Sequence, residues 1–280
     1  MIASAYIKDG NIHIYNEQNS FTNIGGFAYR LGMPLLNFVC YEQERFDKAF
    51  SLIASAFEVN GAENGRYAPE FLEAVKESMT NFQTSETYVY FYALELHNAL
   101  YAEELPHSPQ EIVKQLSEDF RTMKEFVIDE IELLLKFREK FRKEEKEISS
   151  LQYLYWLDDY REKANAKNFY LEIPFTAFYG AINPDEVVQL YKIHSILDLF
   201  RFEFIKMIEN DVYIKKCKNC GHFFIPKRRA DAEYCERKFG ETGKKCSKVG
   251  AMHQYEKRVA GNPILEAHKK RTADLTHALA

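Results

Sequence analysis

Four of the five cysteines in this chain lie within 30 residues near its C-terminal end. They are Cys217, Cys220, Cys235 and Cys246. The two residues between Cys217 and Cys220 let the chain reverse so that both sulfurs point at one ion, and Gly221 supplies the loose backbone for that turn. Because four thiolates around tetrahedral Zn²⁺ form a closed structural site, the spacing predicts one structural zinc ion per chain.

Other states of these thiols stay open at this point. Disulfides are disfavoured because the first residues lack a signal peptide, and thiols in a reducing compartment bind metal more often than they pair. A redox role for the single Cys-x-x-Cys lacks the βαβ context typical of that motif. His222 could replace one sulfur, although four cysteines already fill a tetrahedral shell. Cys40 stands apart in sequence and is predicted to be a small buried apolar residue.

The sequence around the cysteines predicts the elements that position them. Residues 222–234 are predicted to form a hairpin with Phe223 in its first strand, and ten residues, including an inserted glycine loop, separate Cys235 from Cys246. A helix is predicted after Cys246, and its positive N-terminal end favours a deprotonated ligand. Its apolar positions are Val249, Met252, Tyr255 and Val259. Together these elements predict a treble-clef-like Cys₄ finger.

The quoted cysteine motifs resemble a known family. Cys217-Lys-Asn-Cys220-Gly-His-Phe-Phe-Ile-Pro, Tyr234-Cys235, Gly243-x-x-Cys246 and Val249-Gly-Ala are similar to an uncharacterised bacterial family, domain of unknown function 6076, over about residues 213–271. More distantly they resemble the CGNR zinc finger of stress-induced transcription regulators, in which the last two cysteines are closer together. The resemblance implies a zinc site at the four cysteines and, through the second family, a DNA-binding role.

The charge of the chain is divided between two regions. Residues 215–271 carry 16 Lys+Arg and 6 Asp+Glu, whereas residues 1–214 carry 21 and 35. This division predicts an acidic helix-rich domain over residues 1–210 and a basic zinc-binding module over residues 211–280. The cations expected to reach nucleic-acid phosphates lie at a hairpin tip and around the start of the predicted helix. They are Lys227, Arg228, Arg229, Lys244, Lys245 and Lys248.

The acidic domain is predicted to be mainly helical. Apolar residues at helical spacing begin near residue 44, and a helix of about 30 to 40 residues is predicted after Ser108-Pro109 from its apolar stripe. Asn183-Pro184-Asp185-Glu186 predicts the start of another helix that runs to about Asn210. At the N-terminus, Asp9-Gly10 between two apolar runs predicts a β-hairpin. The fold class is therefore predicted to be mainly α (α+β), with a small N-terminal hairpin and a C-terminal finger.

Two functions follow from this organisation. The first is a zinc-binding, nucleic-acid-binding protein of the transcription-regulator kind, whose helical body binds another protein or ligand. The second is a structural zinc module that serves protein–protein interaction without nucleic acid. No catalytic residue is predicted, and enzymatic activity in the helical body stays open. With no apolar run of about 18 residues, we expect no membrane association and a cytoplasmic location.

Overall fold

A computed structural model describes residues 3–16, 27–60, 87–100, 108–142, 152–153, 155–156, 159, 177–183, 186–227, 231–240, 243–260, 262–267 and 271. The chain divides into two compact units, Met1–Val212 and Tyr213–Ala280. The first contains strands β1 (Ala3–Lys8), β2 (Asn11–Asn16), β3 (Phe27–Arg30), β4 (Ala177–Asn183) and β5 (Glu186–Ile193), and helices α1 (Met33–Cys40), α2 (Gln43–Asn60), α3 (Thr87–Leu100), α4 (Pro109–Arg142) and α5 (Ile196–Glu209). The second contains β6 (Lys215–Lys216), β7 (Phe223–Phe224) and α6 (Cys246–Ala260).

The N-terminal hairpin is present and forms part of a larger sheet. Asp9 and Gly10 have φ values of 50° and 71°, which are the positive angles that a tight turn between β1 and β2 requires. The five strands pair in the antiparallel order β3-β2-β1-β5-β4. The prediction of a mainly α protein with an N-terminal hairpin is confirmed, and the hairpin is extended by strands from residues 177–193.

The helix predicted from Asn183 begins later in the structure. Glu186–Ile193 forms strand β5, and α5 starts at Ile196. Ser195 caps this helix, because its Oγ accepts a hydrogen bond of 3.1 Å from the backbone N–H of Asp198. The prediction was wrong there because the segment is rich in β-branched and aromatic residues and pairs with β4 and, at its C-terminal end, with β1, which outweighs the helix-start signal.

Helix α4 matches its prediction. It is 34 residues long, and its apolar stripe is buried from Val113 to Phe137. Ser108 caps it through a reciprocal pair of hydrogen bonds with Glu111, at 3.3 Å from the Glu111 backbone N–H to Ser108 Oγ and 2.9 Å from the Ser108 backbone N–H to Glu111 Oε2. Phe120 on this helix stacks on Phe46 of α2 at a ring-centroid distance of 4.1 Å. Aromatic packing thus forms much of the core of this unit.

A buried carboxylate joins three helices of the first unit. Glu203 of α5 is fully buried, and it accepts hydrogen bonds from the Leu35 backbone N–H at 3.3 Å and from the Tyr88 hydroxyl at 3.0 Å. Since the N-cap residue Gly32 has no side chain to cap α1, Glu203 satisfies the start of that helix from across the core. Among the helices within the described ranges, none is long and apolar enough to cross a membrane.

Candidate metal centre

The first two cysteines lie on a short turn between β6 and β7. Lys215 pairs with Phe224 and Lys216 with Phe223. The turn is closed by hydrogen bonds of 2.9 Å from the Cys217 backbone N–H to the His222 carbonyl and from the Gly221 backbone N–H to the Cys217 carbonyl. Gly221 has a φ of +74°, which other residues rarely adopt, so the turn depends on glycine at this position.

The pairing of Phe223 differs from the prediction. A hairpin was expected over residues 222–234, with Phe223 in its first strand. Instead β7 pairs with β6, the strand that precedes it in the chain, and no strand is present in 231–234. The tight turn at Cys217–Gly221 explains this, because it reverses the chain directly in front of Phe223 and brings the preceding strand alongside it. The zinc-knuckle turn predicted for Cys217 and Cys220 is therefore itself the hairpin.

A short antiparallel pairing within the segment between Cys235 and Cys246 brings these two cysteines together. An isolated antiparallel bridge joins Lys238 to Lys245, and the Phe239 backbone N–H donates to the Lys244 carbonyl at 2.8 Å. The Ser247 backbone N–H then donates to the Cys235 carbonyl at 3.0 Å. Helix α6 begins at Cys246, as predicted, so this thiol lies at the positive end of the helix dipole.

The four thiols form one compact group. All four Sγ atoms lie within 4.8 Å of one another, and the Cys220 and Cys235 sulfurs are 3.7 Å apart. A tetrahedral ion with metal–sulfur bonds of about 2.3 Å requires sulfur–sulfur edges of about 3.8 Å. The observed spacing fits that shell and is far longer than the S–S bond of about 2.05 Å in a disulfide. The group can therefore hold a metal ion.

The thiols differ in exposure and in their hydrogen bonds. Cys217 is 2% exposed and Cys235 and Cys246 are each 1% exposed, whereas Cys220 is half-buried. The Cys235 backbone N–H donates to Cys217 Sγ at 3.3 Å, and Asn219 Nδ2 donates to Cys246 Sγ at 3.5 Å. Such donors support thiolates, which are the form that binds metal.

Burial and hydrogen bonding act in opposite directions on the thiol pKa values. Burial raises the pKa of Cys217, but the backbone N–H groups of Cys220, Cys235 and Asn219 outweigh it and bring the pKa to about 7. Burial raises the pKa of both Cys220 and Cys235. A cation at the centre of the group would relieve the cost of placing several buried thiolates side by side.

Packing around Tyr234 joins α6 to the thiol group. The buried cluster of this unit consists of Cys217, Phe224, Cys235 and Cys246, with Tyr234 packed against it. A Cβ atom placed on Gly250 of α6 would lie 2.2 Å from Tyr234 Cε1, so the helix can approach the ring only because residue 250 is glycine. Tyr234 and Gly250 were noted only as parts of the family motifs, and the contact between them was not predicted; the glycine in the middle of a predicted helix was the available signal.

The other residues singled out from the sequence differ in their exposure and in their position in the chain. His222 is exposed and outside the thiol group, and Cys40 is half-buried on α1 in the other unit rather than buried as predicted. Among the predicted nucleic-acid contacts, Lys227, Lys244, Lys245 and Lys248 are exposed. Lys245 also pairs with Glu236 at 2.7 Å. Arg228 and Arg229 lie outside the described residues.

Comparison with known proteins supports the resemblance inferred from the cysteine motifs. No curated protein and no solved structure matches the chain. A family model, by contrast, matches a segment that begins within β4 and includes β5, α5 and all four cysteines. This match starts well before residue 213, where the resemblance was expected to begin. Residues 178–279 match the model of a family of unknown function, DUF6076, which is the family that the cysteine motifs resemble.

Proposed function

We propose that the chain is a zinc protein in which four thiolates hold one structural ion that folds the C-terminal module. The observation that carries this proposal is the group of four sulfurs within 4.8 Å, three of them on buried cysteines. A shell of four thiolates is typical of Zn²⁺ or iron–sulfur centres, and the Cys-x-x-Cys-Gly turn followed by a helix-borne cysteine is typical of structural zinc. Reduced thiols of this kind also favour a cytoplasmic location.

The zinc has a folding role in this proposal. Four protein ligands fill a tetrahedral shell, which leaves no position for a substrate or an activated water. The knuckle between β6 and β7 contributes Cys217 and Cys220, the segment before the Lys238–Lys245 bridge contributes Cys235, and the start of α6 contributes Cys246. This arrangement supports a treble-clef-like finger, in which the metal replaces the large apolar core that so small a module lacks.

Nucleic acid is the partner that the charge of the module favours. Residues 215–271 carry ten more cations than anions, and exposed Lys227, Lys244 and Lys248 are placed on loops or at the start of α6. Phosphate contacts are made from such positions. The acidic residues of the first unit favour a role away from nucleic acid, such as binding another protein.

Metal content tests the zinc proposal. Wild-type protein should contain one zinc per chain, and replacing Cys217, Cys220, Cys235 or Cys246 with serine should remove it and unfold the module, because binding and folding are coupled. Cys40→Ser is the matched control and should leave the zinc content unchanged. Stoichiometric metal in a Cys217→Ser/Cys235→Ser double variant would overturn the assignment.

The salt dependence of binding tests the nucleic-acid proposal. Neutralising about four to six phosphates gives a log–log slope of roughly −4 to −5 on duplex DNA. Lys244→Ala/Lys248→Ala should flatten this slope by about 2 units. Lys48→Ala/Lys114→Ala makes the same charge change on exposed positions of α2 and α4, and it should leave the slope unchanged. Equal slopes for the two double variants would contradict the proposal.

Protein–protein interaction is the second candidate function, and the exposed apolar side chains of the module favour it. Met252 is 46% exposed and Ile264 is 80% exposed, and Tyr255 and Leu265 are exposed as well. If wild-type protein binds neither DNA nor RNA at low ionic strength, this candidate replaces the first. The zinc assignment is independent of that outcome.

A further inference from the structure

The four cysteines of the candidate metal centre are not equally open to solvent. Cys220 is half-buried, whereas the other three are at most 2% exposed. Gly221 and His222, which follow Cys220 in the chain, are exposed, and in the described part of the chain no atom lies within 4 Å of a Cβ built on Gly221. A small reagent in the solvent therefore reaches the group most easily at Cys220.

Hydrogen bonds add to the difference between the two cysteines of the knuckle. Cys217 Sγ accepts from the backbone N–H of buried Cys235 at 3.3 Å, and also from the backbone N–H groups of Asn219 and Cys220. Cys220 Sγ accepts from the backbone N–H of His222, which is exposed. Since a hydrogen bond stabilises a thiolate and lowers its nucleophilicity, Cys217 is protected by its donors as well as by burial. Cys220 is the more open nucleophile of the two.

A second thiol lies close to the Cys220 sulfur. The Sγ atoms of Cys220 and Cys235 are 3.7 Å apart, and Cys235 is buried. A thiolate at this distance can attack its neighbour once that sulfur is oxidised, because a sulfenic acid condenses with a thiol to form a disulfide. The pair therefore offers one cysteine that a reagent can reach and a second, buried cysteine that can complete the reaction.

We propose that Cys220 is the oxidation site of the metal centre, and that a peroxide modifies it before the other three ligands. The Cys220 thiolate attacks one peroxide oxygen, so that an S–O bond forms, the O–O bond breaks and hydroxide leaves. The Cys235 thiolate then attacks the sulfenic sulfur, so that an S–S bond forms, the S–O bond breaks and a second hydroxide leaves. Two thiolates are oxidised and one peroxide is reduced. The inference rests on the proposed zinc function, and it names oxidation as the event that removes two of the four ligands and releases the ion.

Mass spectrometry of zinc-loaded, full-length protein treated with hydrogen peroxide locates the first modified cysteine. The Cys40→Ser variant is used, because it removes the half-buried thiol of the other unit. With dimedone present to trap sulfenic acid, the first adduct should be on Cys220, and without dimedone the first disulfide should join Cys220 to Cys235. In excess peroxide, zinc release measured with a chromophoric chelator should be equally fast in wild-type and Cys40→Ser protein. Cys220→His keeps four ligands, since shells of three cysteines and one histidine bind zinc, and it should lose most of this release.

The outcomes separate this inference from the zinc function on which it rests. A first adduct on another of the four cysteines, an equal distribution over them, or no adduct at all would show that Cys220 is not the oxidation site, while the zinc assignment stands. Zinc-loaded Cys220→His that releases its ion as fast as wild-type protein would show the same. A first disulfide between Cys220 and a cysteine other than Cys235 would refute the second step. If the protein contains no zinc before peroxide is added, the zinc function fails and this inference fails with it.

Discussion

Replacing Gly250 with alanine should weaken the metal site, although the residue touches no thiol. The new Cβ would lie 2.2 Å from Tyr234 Cε1 and 2.3 Å from Cδ1, so either the ring or the helix has to move. Tyr234 precedes Cys235 and packs against the thiol cluster, and α6 supplies Cys246. The substitution therefore acts on both segments that hold the second pair of ligands.

The expected magnitude follows from two opposing effects. Overpacking a filled site costs about 1–3 kcal/mol, and so close an approach belongs at the upper end of that range. Alanine in place of glycine stabilises a helix interior by about 1 kcal/mol. The net loss is about 2 kcal/mol, which lowers zinc affinity by about 30-fold because binding and folding are coupled.

Competition with a chromophoric chelator measures this loss, and a double-mutant cycle identifies its cause. In a Tyr234→Ala background the Gly250→Ala penalty should disappear, because the ring that causes the clash is absent. Ala251→Gly is the matched control at the next, exposed position of α6, where only helix propensity changes. If Gly250→Ala raises zinc affinity, or if its penalty persists without the Tyr234 ring, the packing argument is wrong.

Two further predictions concern the first unit and the boundary between the units. Burial raises the pKa of Glu203 to about 7, although hydrogen bonds from Leu35, Tyr88 and Gly32 lower it. Since the folded state holds this proton more tightly than the unfolded chain, the stabilisation is complete below about pH 4.5 and is lost as the pH rises through about 7, a change on the order of 3 kcal/mol. Glu203→Gln should remove this part of the pH dependence in urea unfolding, and an unchanged slope would refute the assignment. Metal chelation should increase protease cleavage beyond about residue 210 while most helical circular dichroism remains. A single collapse of all helical signal on chelation would show that the two units do not fold separately.

The elements with local sequence signals were predictable, and those that depend on distant pairing were not. The 3.6-residue apolar stripe and the Ser108 cap lie within α4 itself, so its length could be read from the sequence. Strand β5 depends on pairing with β1, where Ala3 lies opposite Ile193, and no local pattern reports such a partner. The Asn183-Pro184 signal for a helix start was therefore given too much weight.

The metal site also combines features that local sequence signals predict with features that depend on distant contacts. Cys-x-x-Cys-Gly is a local turn signal, and the site it predicted is the group of four thiols in the structure. The approach of Gly250 to Tyr234 joins residues 16 positions apart and is visible only in three dimensions. The bridge between Lys238 and Lys245 is likewise a pairing within the insertion that the sequence does not show.

X-ray absorption spectroscopy at the zinc edge, on the purified wild-type protein, tests the central claim most directly. We expect one zinc ion per chain, surrounded by four sulfur ligands at about 2.3 Å with no nitrogen or oxygen neighbour in the first shell. A shell with two or three sulfurs completed by nitrogen or oxygen, or protein without zinc whose four cysteines are paired as disulfides, would contradict a closed four-thiolate site at Cys217, Cys220, Cys235 and Cys246.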